Sequence, residues 1–256
     1  MLVDTHCHLD AHEFDADRAA VAASAAAAGV TCVVVPSVER ANFAAVASVC
    51  REYSGCVAAY GIHPMYVGGA REEDLDALRA TVAREKPVAV GEIGLDRFVD
   101  PRDDVLQEHY FDAQLKIARD ADLPVLLHVR RAVDIVLKHL RQIRVPGGIA
   151  HAFNGSRQQA DEFIKLGFKL GFGGAMTYPR ATRIRELATH LPLDAIVLET
   201  DAPDIPPEWQ AGKRNTPDQI PRIARLLADL RGISPEKVAQ ATSTNAANVL
   251  PRLMMH

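Results

Sequence analysis

Six side chains of the types that bind divalent metals lie at or just past the ends of short apolar segments along this chain. They are four histidines and two carboxylates: His6, His8, Glu92, His128, His151 and Asp201. Imidazole and carboxylate ligands together suit Zn²⁺, Mn²⁺ or Mg²⁺, whereas a structural zinc cluster would use thiolates. Because three such ligands per cation leave positions open for water and substrate, the pattern predicts a hydrolytic site with two divalent cations per chain.

Two of the six carry predicted roles beyond binding a metal. Glu92 lies in the segment Val-Gly-Glu-Ile-Gly-Leu-Asp and has two carboxylate oxygens, so it can bridge two cations that a single imidazole nitrogen cannot link. Asp201 follows Ile-Val-Leu-Glu-Thr and is predicted to act as the general base for a water that the cations acidify. Glu92 and Asp201 are therefore the predicted catalytic residues.

Strand-like and helix-like segments alternate along the chain, with one unit about every 30 residues. Active sites of parallel barrels lie at the carboxyl ends of the strands, where all six candidates fall. No glycine-rich phosphate-binding motif follows the first strand, so an α/β fold of the (β/α)8 TIM-barrel type is favoured over an open sheet. The predicted strands are 2–8, 31–37, 56–63, 88–95, 125–129, 148–153, 168–173 and 195–200.

We predict a single domain over residues 1–256, because no linker rich in glycine, serine or proline divides the chain. Helices are predicted at 19–28, 104–120 and 221–230 from their apolar spacing. The segment Ser-Pro-Glu that starts at Ser234 predicts an extra C-terminal helix, with Pro235 at its first position. We expect that helix to pack outside the main repeat.

Side chains alternate between the two faces of a strand, which predicts how the first segment is arranged. His6 and His8 should leave the same face, and Cys7 between them should point toward the helices and pack there. By the same alternation Asp4 should share the histidines' face, one layer deeper, and orient a ligand from behind.

Three further side chains are expected around the metals. His63, in Gly-Ile-His-Pro, should contact substrate rather than metal, although a turn residue before proline is the alternative. Arg130 lies two residues after His128, and its guanidinium suits a phosphate or carboxylate group of the substrate. Glu199, two residues before Asp201, should orient the site or hold a further cation.

The segment Arg214-Asn215 admits two interpretations of equal weight. It either borders the pocket, or it precedes a helix that Thr216 caps and Pro217 begins.

Composition restricts the class of protein. The 256 residues are 48% hydrophobic and 24% charged, with a formal net charge of −4, as expected for a soluble protein. The lack of a basic tract counts against salt-sensitive duplex binding, although bound cations would supply positive charge for a phosphate. The four cysteines form no Cys-x-x-Cys pair, and no signal peptide or membrane span is predicted, so we expect a cytoplasmic protein.

The motifs, taken in order, resemble those of the TatD family of metal-dependent hydrolases. They are Asp-Thr-His-Cys-His, Gly-Ile-His-Pro, Gly-Glu-Ile-Gly-Leu-Asp, His-x-Arg, His-Ala-Phe-Asn-Gly, Glu-Thr-Asp-Ala-Pro and Arg-Asn-Thr-Pro, and residues 173–180 resemble the bacterial YjjV-like branch. The resemblance runs from residue 4 to about 217, and the C-terminal helical segment is also similar. One departure is Met65, where many members of the family place a second histidine.

The resemblance implies a TIM barrel of the amidohydrolase superfamily, two divalent cations and the deoxyribonuclease activity of characterised members. Carried over by position, one metal would take His6, His8 and Asp201 and the other His128 and His151. Glu92 would bridge them, in the place where many superfamily members use a carbamylated lysine.

Three functions remain open from the sequence. The first is a 3′–5′ exonuclease or phosphodiesterase that acts on DNA ends or oligonucleotides, most suitably single-stranded. The second is hydrolysis of a small-molecule ester, lactone, amide or phosphoester, which the acidic balance and the low aromatic content of 5% support. The third is a non-catalytic barrel, which would be expected to have lost ligands, and none of the six is missing.

Overall fold

Eight parallel strands form one sheet in which each strand pairs with the next along the chain. The structure, a computed structural model, describes residues 2–255, with side chains described for residues 2–253. The predicted eight strands and the TIM barrel are confirmed, although several strands end earlier than predicted. The strands are β1 Leu2–Asp4, β2 Val30–Pro36, β3 Cys56–Tyr60, β4 Ala89–Asp96, β5 Val125–Arg130, β6 Gly148–Ala150, β7 Phe168–Phe172 and β8 Ile196–Leu198.

Helices follow the strands and cover the outside of the sheet, with short 3-10 turns in several of the loops. Two helix starts follow directly from sequence: the side chain of Asp103 accepts from the backbone N–H of Leu106, and that of Ser234 accepts from Lys237. The helices are α1 Arg18–Ala27, α2 Phe43–Glu52, α3 Glu72–Glu85, α4 Asp104–Asp120, α5 Val133–Gln142, α6 Arg157–Lys165, α7 Thr182–His190, α8 Ile220–Arg231 and α9 Pro235–Val249. Between residues 2 and 255, no helix combines the length and the apolar character needed to cross a membrane.

The apolar core has two parts. A larger outer cluster joins strand residues to the surrounding helices, and Cys7 belongs to it, as predicted. A smaller inner cluster contains one or two residues from most strands, such as Val34 and Leu126, together with Ala246 and Leu250 from the C-terminal segment. α9 is thus the predicted helix outside the repeat, and its apolar face covers the inner cluster and shields it from water.

The barrel closes between β1 and the segment that follows β8. The backbone N–H of Thr5 donates to the carbonyl of Leu198 at 3.0 Å, and that of Asp201 donates to the carbonyl of His6 at 2.8 Å. The backbone N–H of His8 then donates to the carbonyl of Ala202 at 2.8 Å. Closure thus holds the first predicted ligand pair directly beside Asp201.

Candidate metal centre

The six predicted ligands meet at the carboxyl ends of the strands. His6 and His8 follow β1, His151 follows β6 directly, and Asp201 lies three residues after β8. Glu92 and His128 lie within β4 and β5, so Glu92 precedes the end of its strand rather than forming it, because β4 continues to Asp96. The chain segments that carry them are far apart in sequence, and the barrel brings them to one mouth.

One carboxylate oxygen of Glu92 faces the first histidine pair. Its Oε2 lies 3.2 Å from His6 Nε2 and 3.4 Å from His8 Nε2, and the two ring nitrogens are 3.3 Å apart. Asp201 Oδ1 lies 3.6 Å from His6 Nε2 and 3.8 Å from His8 Nε2. We call the three atoms of Glu92, His6 and His8 the first ligand triangle, with Asp201 at its side.

The other carboxylate oxygen of Glu92 faces the second pair. Its Oε1 lies 3.0 Å from His128 Nδ1 and 2.9 Å from His151 Nε2, and these nitrogens are 3.4 Å apart. We call these three atoms the second ligand triangle. Glu92 therefore presents one oxygen to each pair, which is the arrangement expected of a bridging carboxylate.

The dimensions of both triangles fit divalent cations. With metal–ligand bonds near 2.1 Å, neighbouring ligand atoms are separated by about 3.0 Å in an octahedral site and about 3.4 Å in a tetrahedral one. Every edge of the two ligand triangles lies between 2.9 and 3.4 Å. The imidazole and carboxylate donors are those that Zn²⁺ and Mn²⁺ accept, so the residues present suit such ions.

Hydrogen bonds on the far side of His128 decide which of its nitrogens is free. Nε2 lies 2.9 Å from Asp96 Oδ2. Burial alone would raise the pKa of Asp96, but hydrogen bonds from His128 and two backbone amides hold that pKa below its usual range. Because an ionised carboxylate only accepts, Nε2 carries a proton, and only Nδ1 can face a cation. Asp96 and Glu92 outweigh burial and raise the pKa of His128, so a cation would displace the proton that Glu92 favours on Nδ1.

The opposite tautomer holds for His63, which lies against the second ligand triangle. The backbone N–H of Met65 donates to His63 Nδ1 at 3.1 Å, and burial lowers the pKa of His63 to about 4. The neutral ring therefore carries its proton on Nε2, which lies 3.4 Å from Glu92 Oε1. In this tautomer the nitrogen is a donor, although His63, Glu92 and His128 also form a group close enough to hold a metal ion. The predicted contact of His63 with substrate remains a prediction.

Charges at the centre are set by burial and by Glu92. Burial would raise the pKa of Glu92, but the surrounding histidines outweigh it and hold the pKa well below the usual range. Burial lowers the pKa of His6 to about 3, so that ring is neutral. Burial also opposes protonation of His151, yet Glu92 and Asp201 raise its pKa to about 10. Binding of cations to this centre is therefore coupled to release of protons.

The backbone at Asp201 adopts a conformation that few non-glycine residues use. Its φ is +58°, in the left-handed region, and its carbonyl accepts from the backbone N–H of Asp204 at 2.8 Å. Burial raises the pKa of the Asp201 carboxyl, which keeps it a stronger base than an exposed aspartate. Strain of this kind at a buried carboxylate is typical of functional positions.

Asp4 lies behind the ligand segment, and it contacts the backbone of His6 rather than an imidazole ring. Its carboxylate accepts from the Thr200 hydroxyl at 2.6 Å, from the Thr200 backbone N–H at 3.0 Å and from the His6 backbone N–H at 3.2 Å. β1 ends at Asp4 and a bend follows, so strict alternation does not continue into the ligand segment. Asp4 instead ties the backbone of His6 to the segment that carries Asp201.

Glu199 lies behind His151. Its Oε1 is 3.8 Å from His151 Nδ1 and accepts from the backbone N–H of Ala152 at 2.5 Å. Gly171 provides the space, since a Cβ there would lie 2.0 Å from Glu199 Oε2. Burial raises the pKa of Glu199 to about 8. The predicted roles, orienting the site or holding a further cation, remain predictions.

Arg130 is exposed and lies at the rim rather than against the ligands. Its guanidinium carbon is 3.9 Å from the ring centre of Phe98, a residue that the sequence analysis did not consider. The arginine and His128 belong to the same strand, but the long side chain turns toward the loop after β4. Its predicted contact with a substrate phosphate remains a prediction.

Arg214 and Asn215 do not contribute polar atoms to the ligand triangles. Arg214 pairs with Asp17 at 2.6 Å, and buried Asn215 donates to the carbonyls of Thr200 and Asp204 at 2.8 and 2.9 Å. Thr216 begins a short 3-10 turn with Pro217 first, but its side chain makes no capping bond. The second interpretation therefore holds for the position of Thr216 and Pro217, though not for a side-chain cap, and Asn215 supports the loop after β8.

The sequence analysis missed Asp96, whose carboxylate contacts the predicted metal ligand His128. It lies four residues after Glu92 in the quoted motif, so the signal was present in the sequence. Asp96→Asn keeps Oδ1, which accepts from the backbone N–H groups of Phe98 and Val99, and loses the acceptor for His128. We expect the affinity for one of two cations to fall by about 10- to 100-fold, measured by metal titration.

A matched control exists in α4 and α5. The ring of His139 is buried, and its Nδ1 lies 2.6 Å from Asp112 Oδ1, away from the metal centre. Asp112→Asn removes a carboxylate from the same kind of pair and should leave metal affinity unchanged. Equal metal affinity in wild type and Asp96→Asn would contradict the role assigned to Asp96.

Comparison with known proteins agrees with this centre. A family model described as "TatD related DNase" matches residues 3–251. The chain is 42% identical over 246 residues to YjjV of Escherichia coli K12, an "uncharacterized metal-dependent hydrolase". The alignment covers 95% of each chain. The crystal structure of YjjV superposes with a TM-score of 0.94 and covers 98% of each chain. A protein of Cronobacter sakazakii named "3'-5' ssDNA/RNA exonuclease TatD" is 33% identical over 258 residues, or 97% of each chain. The chain thus belongs to the TatD family of metal-dependent hydrolases.

Proposed function

We propose that this hydrolase cleaves phosphodiester bonds and removes nucleotides from the 3′ ends of single-stranded DNA, with two divalent cations bound in the metal centre. The observation that carries the proposal is the division of Glu92 between the two ligand triangles, one carboxylate oxygen to each. Two cations, one held by each triangle, would suit the attacking and leaving oxygens of an in-line displacement. The exonuclease name of the Cronobacter relative supports a nucleic acid as substrate.

The protein side chains have distinct parts in this reaction. The four histidines with Glu92 and Asp201 would hold the cations, which would supply positive charge for the scissile phosphate and make the attacking water more acidic. Asp201, beside the first ligand triangle, takes the proton of that water as general base. His63 directs its Nε2–H into the site, where it donates to a phosphate oxygen, and Arg130 meets a phosphate at the rim.

The direct test uses protein that has been freed of metal by a chelator and then reloaded with Mn²⁺ or Zn²⁺. We expect nucleotide release from 3′-labelled single strands only after reloading, with less release from a blunt duplex. Metal analysis of protein purified without chelator should give close to two cations per chain. Well under one cation, with no rescue on adding metal, would instead support a non-catalytic barrel.

The second candidate keeps the centre and changes the substrate to a small ester, lactone, amide or phosphoester. The formal net charge of −4 and the low aromatic content favour it over a nuclease that binds long strands. A panel of such compounds, assayed beside the oligonucleotides, separates the two. Turnover of a lactone or carboxylic ester without any nucleotide release would exclude the nuclease.

A further inference from the structure

Large apolar side chains are exposed almost only at the rim of the metal centre. Among the described side chains, Met65, Tyr66 and Phe98 are 53%, 44% and 43% exposed, and Val105 at the start of α4 is the remaining large exposed one. The first three lie in the loops after β3 and β4, at the same end of the barrel as the ligands. Apolar residues gathered at one rim indicate a surface that contacts a ligand.

Tyr66 is connected to the metal centre through two rings. Its ring lies edge-on to His63, with centres 6.1 Å apart, and His63 lies edge-on to His128 at 4.3 Å. The backbone N–H of Tyr66 also donates to the carbonyl of His63 at 2.9 Å. The aromatic ring therefore has a defined place next to the His63 ring.

Two arginines share the ring of Phe98. The guanidinium carbons of Arg130 and Arg131 lie 3.9 and 4.4 Å from the ring centre. Neither has a carboxylate within salt-bridge distance in the part of the chain that the structure describes, whereas Arg97 nearby pairs with Glu108 at 2.7 Å. Contact with the ring restrains both guanidinium groups, and their unpaired N–H donors suit a phosphate.

Asp96 links this pair of arginines to the metal ligands. Its Oδ1 accepts from the backbone N–H of Phe98 at 2.7 Å and of Val99 at 3.0 Å, while its Oδ2 faces His128 Nε2. One carboxylate thus positions a metal ligand and the loop that carries Phe98. The distance from the guanidinium pair to the second ligand triangle is restrained for that reason.

Charge separates the two halves of the rim. Burial first, and then the nearby carboxylates Glu39 and Glu13, raise the pKa of Tyr66, so the surroundings of that ring are acidic. Arg130 and Arg131 attract a phosphate, while the exposed Tyr66 ring offers a face on which an uncharged aromatic base can stack.

We propose that Met65 and Tyr66 bind the base of the terminal nucleotide, and that Phe98 with Arg130 and Arg131 binds the phosphate next to the scissile one. This inference rests on the proposed function and names the part of a nucleic acid that each half of the rim recognises. It makes Tyr66 and the guanidinium pair the determinants of preference for an unpaired nucleotide end over a small phosphodiester.

The test of the aromatic half compares two single strands, one with a normal 3′-terminal nucleotide and one whose terminal nucleotide is abasic. With metal-loaded wild type we expect kcat/KM to be about tenfold higher for the strand with the base, as stacking on an aromatic side chain would supply. Tyr66→Leu should abolish that preference and Tyr66→Phe should restore it. Equal kcat/KM for both strands in the wild type would overturn the assignment.

The test of the basic half uses the double variant Arg130→Gln, Arg131→Gln. We expect KM for the oligonucleotide to rise about tenfold or more and its salt dependence to weaken, because two phosphate contacts are lost. Turnover of bis(4-nitrophenyl) phosphate, which has no second phosphate, should fall by a smaller factor than turnover of the oligonucleotide. Arg119→Gln, on the exposed face of α4 where that arginine pairs with Asp120, is the matched control.

The outcomes separate the two proposals. Wild type that releases nucleotides while these variants behave like wild type would overturn the rim assignment and leave the nuclease intact. Wild type that hydrolyses esters but no oligonucleotide would overturn both. Metal content and thermal unfolding of each variant distinguish a rim effect from a folding defect.

Discussion

Replacing Asp201 with asparagine is expected to lower kcat by about 10³-fold, within the usual range for loss of a general base. Asparagine has nearly the same shape but cannot take a proton from water at neutral pH. The hydrogen bonds that hold Asp201 in the fold use its backbone, through the carbonyl of His6 and the N–H of Asp204, so the substitution leaves them intact. Steady-state kinetics with the metal-loaded protein measure the effect.

The control for this variant is Asp194→Asn. Asp194 is exposed and lies just before β8, at the end of the barrel opposite the metal centre. It should leave kcat and the thermal unfolding midpoint unchanged. Near-normal turnover by Asp201→Asn would show that another group acts as the base, with Glu199 the nearest buried carboxylate on the same segment.

Replacing Glu92 with alanine is expected to weaken binding of both cations. Each ligand triangle loses one of its three atoms, so affinity at each should fall by at least about 100-fold, more than the loss of an outer contact costs. His128→Ala removes an atom from the second triangle alone and should mainly empty one site. Metal analysis after dialysis against a weak chelator measures both variants.

The surface histidine His109, which pairs with Glu72, supplies the control for histidine removal. His109→Ala should retain the metal content of wild type. Loss of a single cation from Glu92→Ala, or equal loss at both sites from His128→Ala, would argue against a bridging carboxylate. Circular dichroism of each variant shows whether the barrel has formed.

The confirmed family confines the chemistry to metal-dependent hydrolysis and leaves the bond to experiment. The buried ligand atoms of the two triangles would serve a nuclease and a small-molecule hydrolase equally well. The two candidate functions differ in what they require of the rim, because a small ester needs neither a pair of guanidinium groups nor an exposed aromatic ring. The oligonucleotide and ester assays therefore discriminate most sharply when they are combined with the rim variants.

The sequence by itself determined the barrel and indicated the six side chains that meet at its mouth. Apolar runs such as Cys-Val-Val-Val indicate strands that are buried on both faces of the sheet. Their repeated alternation with helical segments is a local property of the sequence, so it can be recognised without the structure. The strand ends were less certain: β1 and β3 stop several residues before the predicted limits. The residue at which a strand ends depends on tertiary contacts, which the spacing of residues in the sequence does not reveal.

Only the tertiary structure decided how the ligands are divided and protonated. Three features depend on contacts between separate strands: the different partners of the two Glu92 oxygens, the opposite tautomers of His63 and His128, and the link through Asp96. The atoms in these contacts lie about one hydrogen-bond length apart. Spacing along one strand cannot specify a partner on another. The same reason explains why Arg130, which was predicted to face the site beside His128, lies on Phe98. It also explains why α9 covers the end of the barrel. Long side chains and terminal helices pack wherever the folded chain offers an apolar surface.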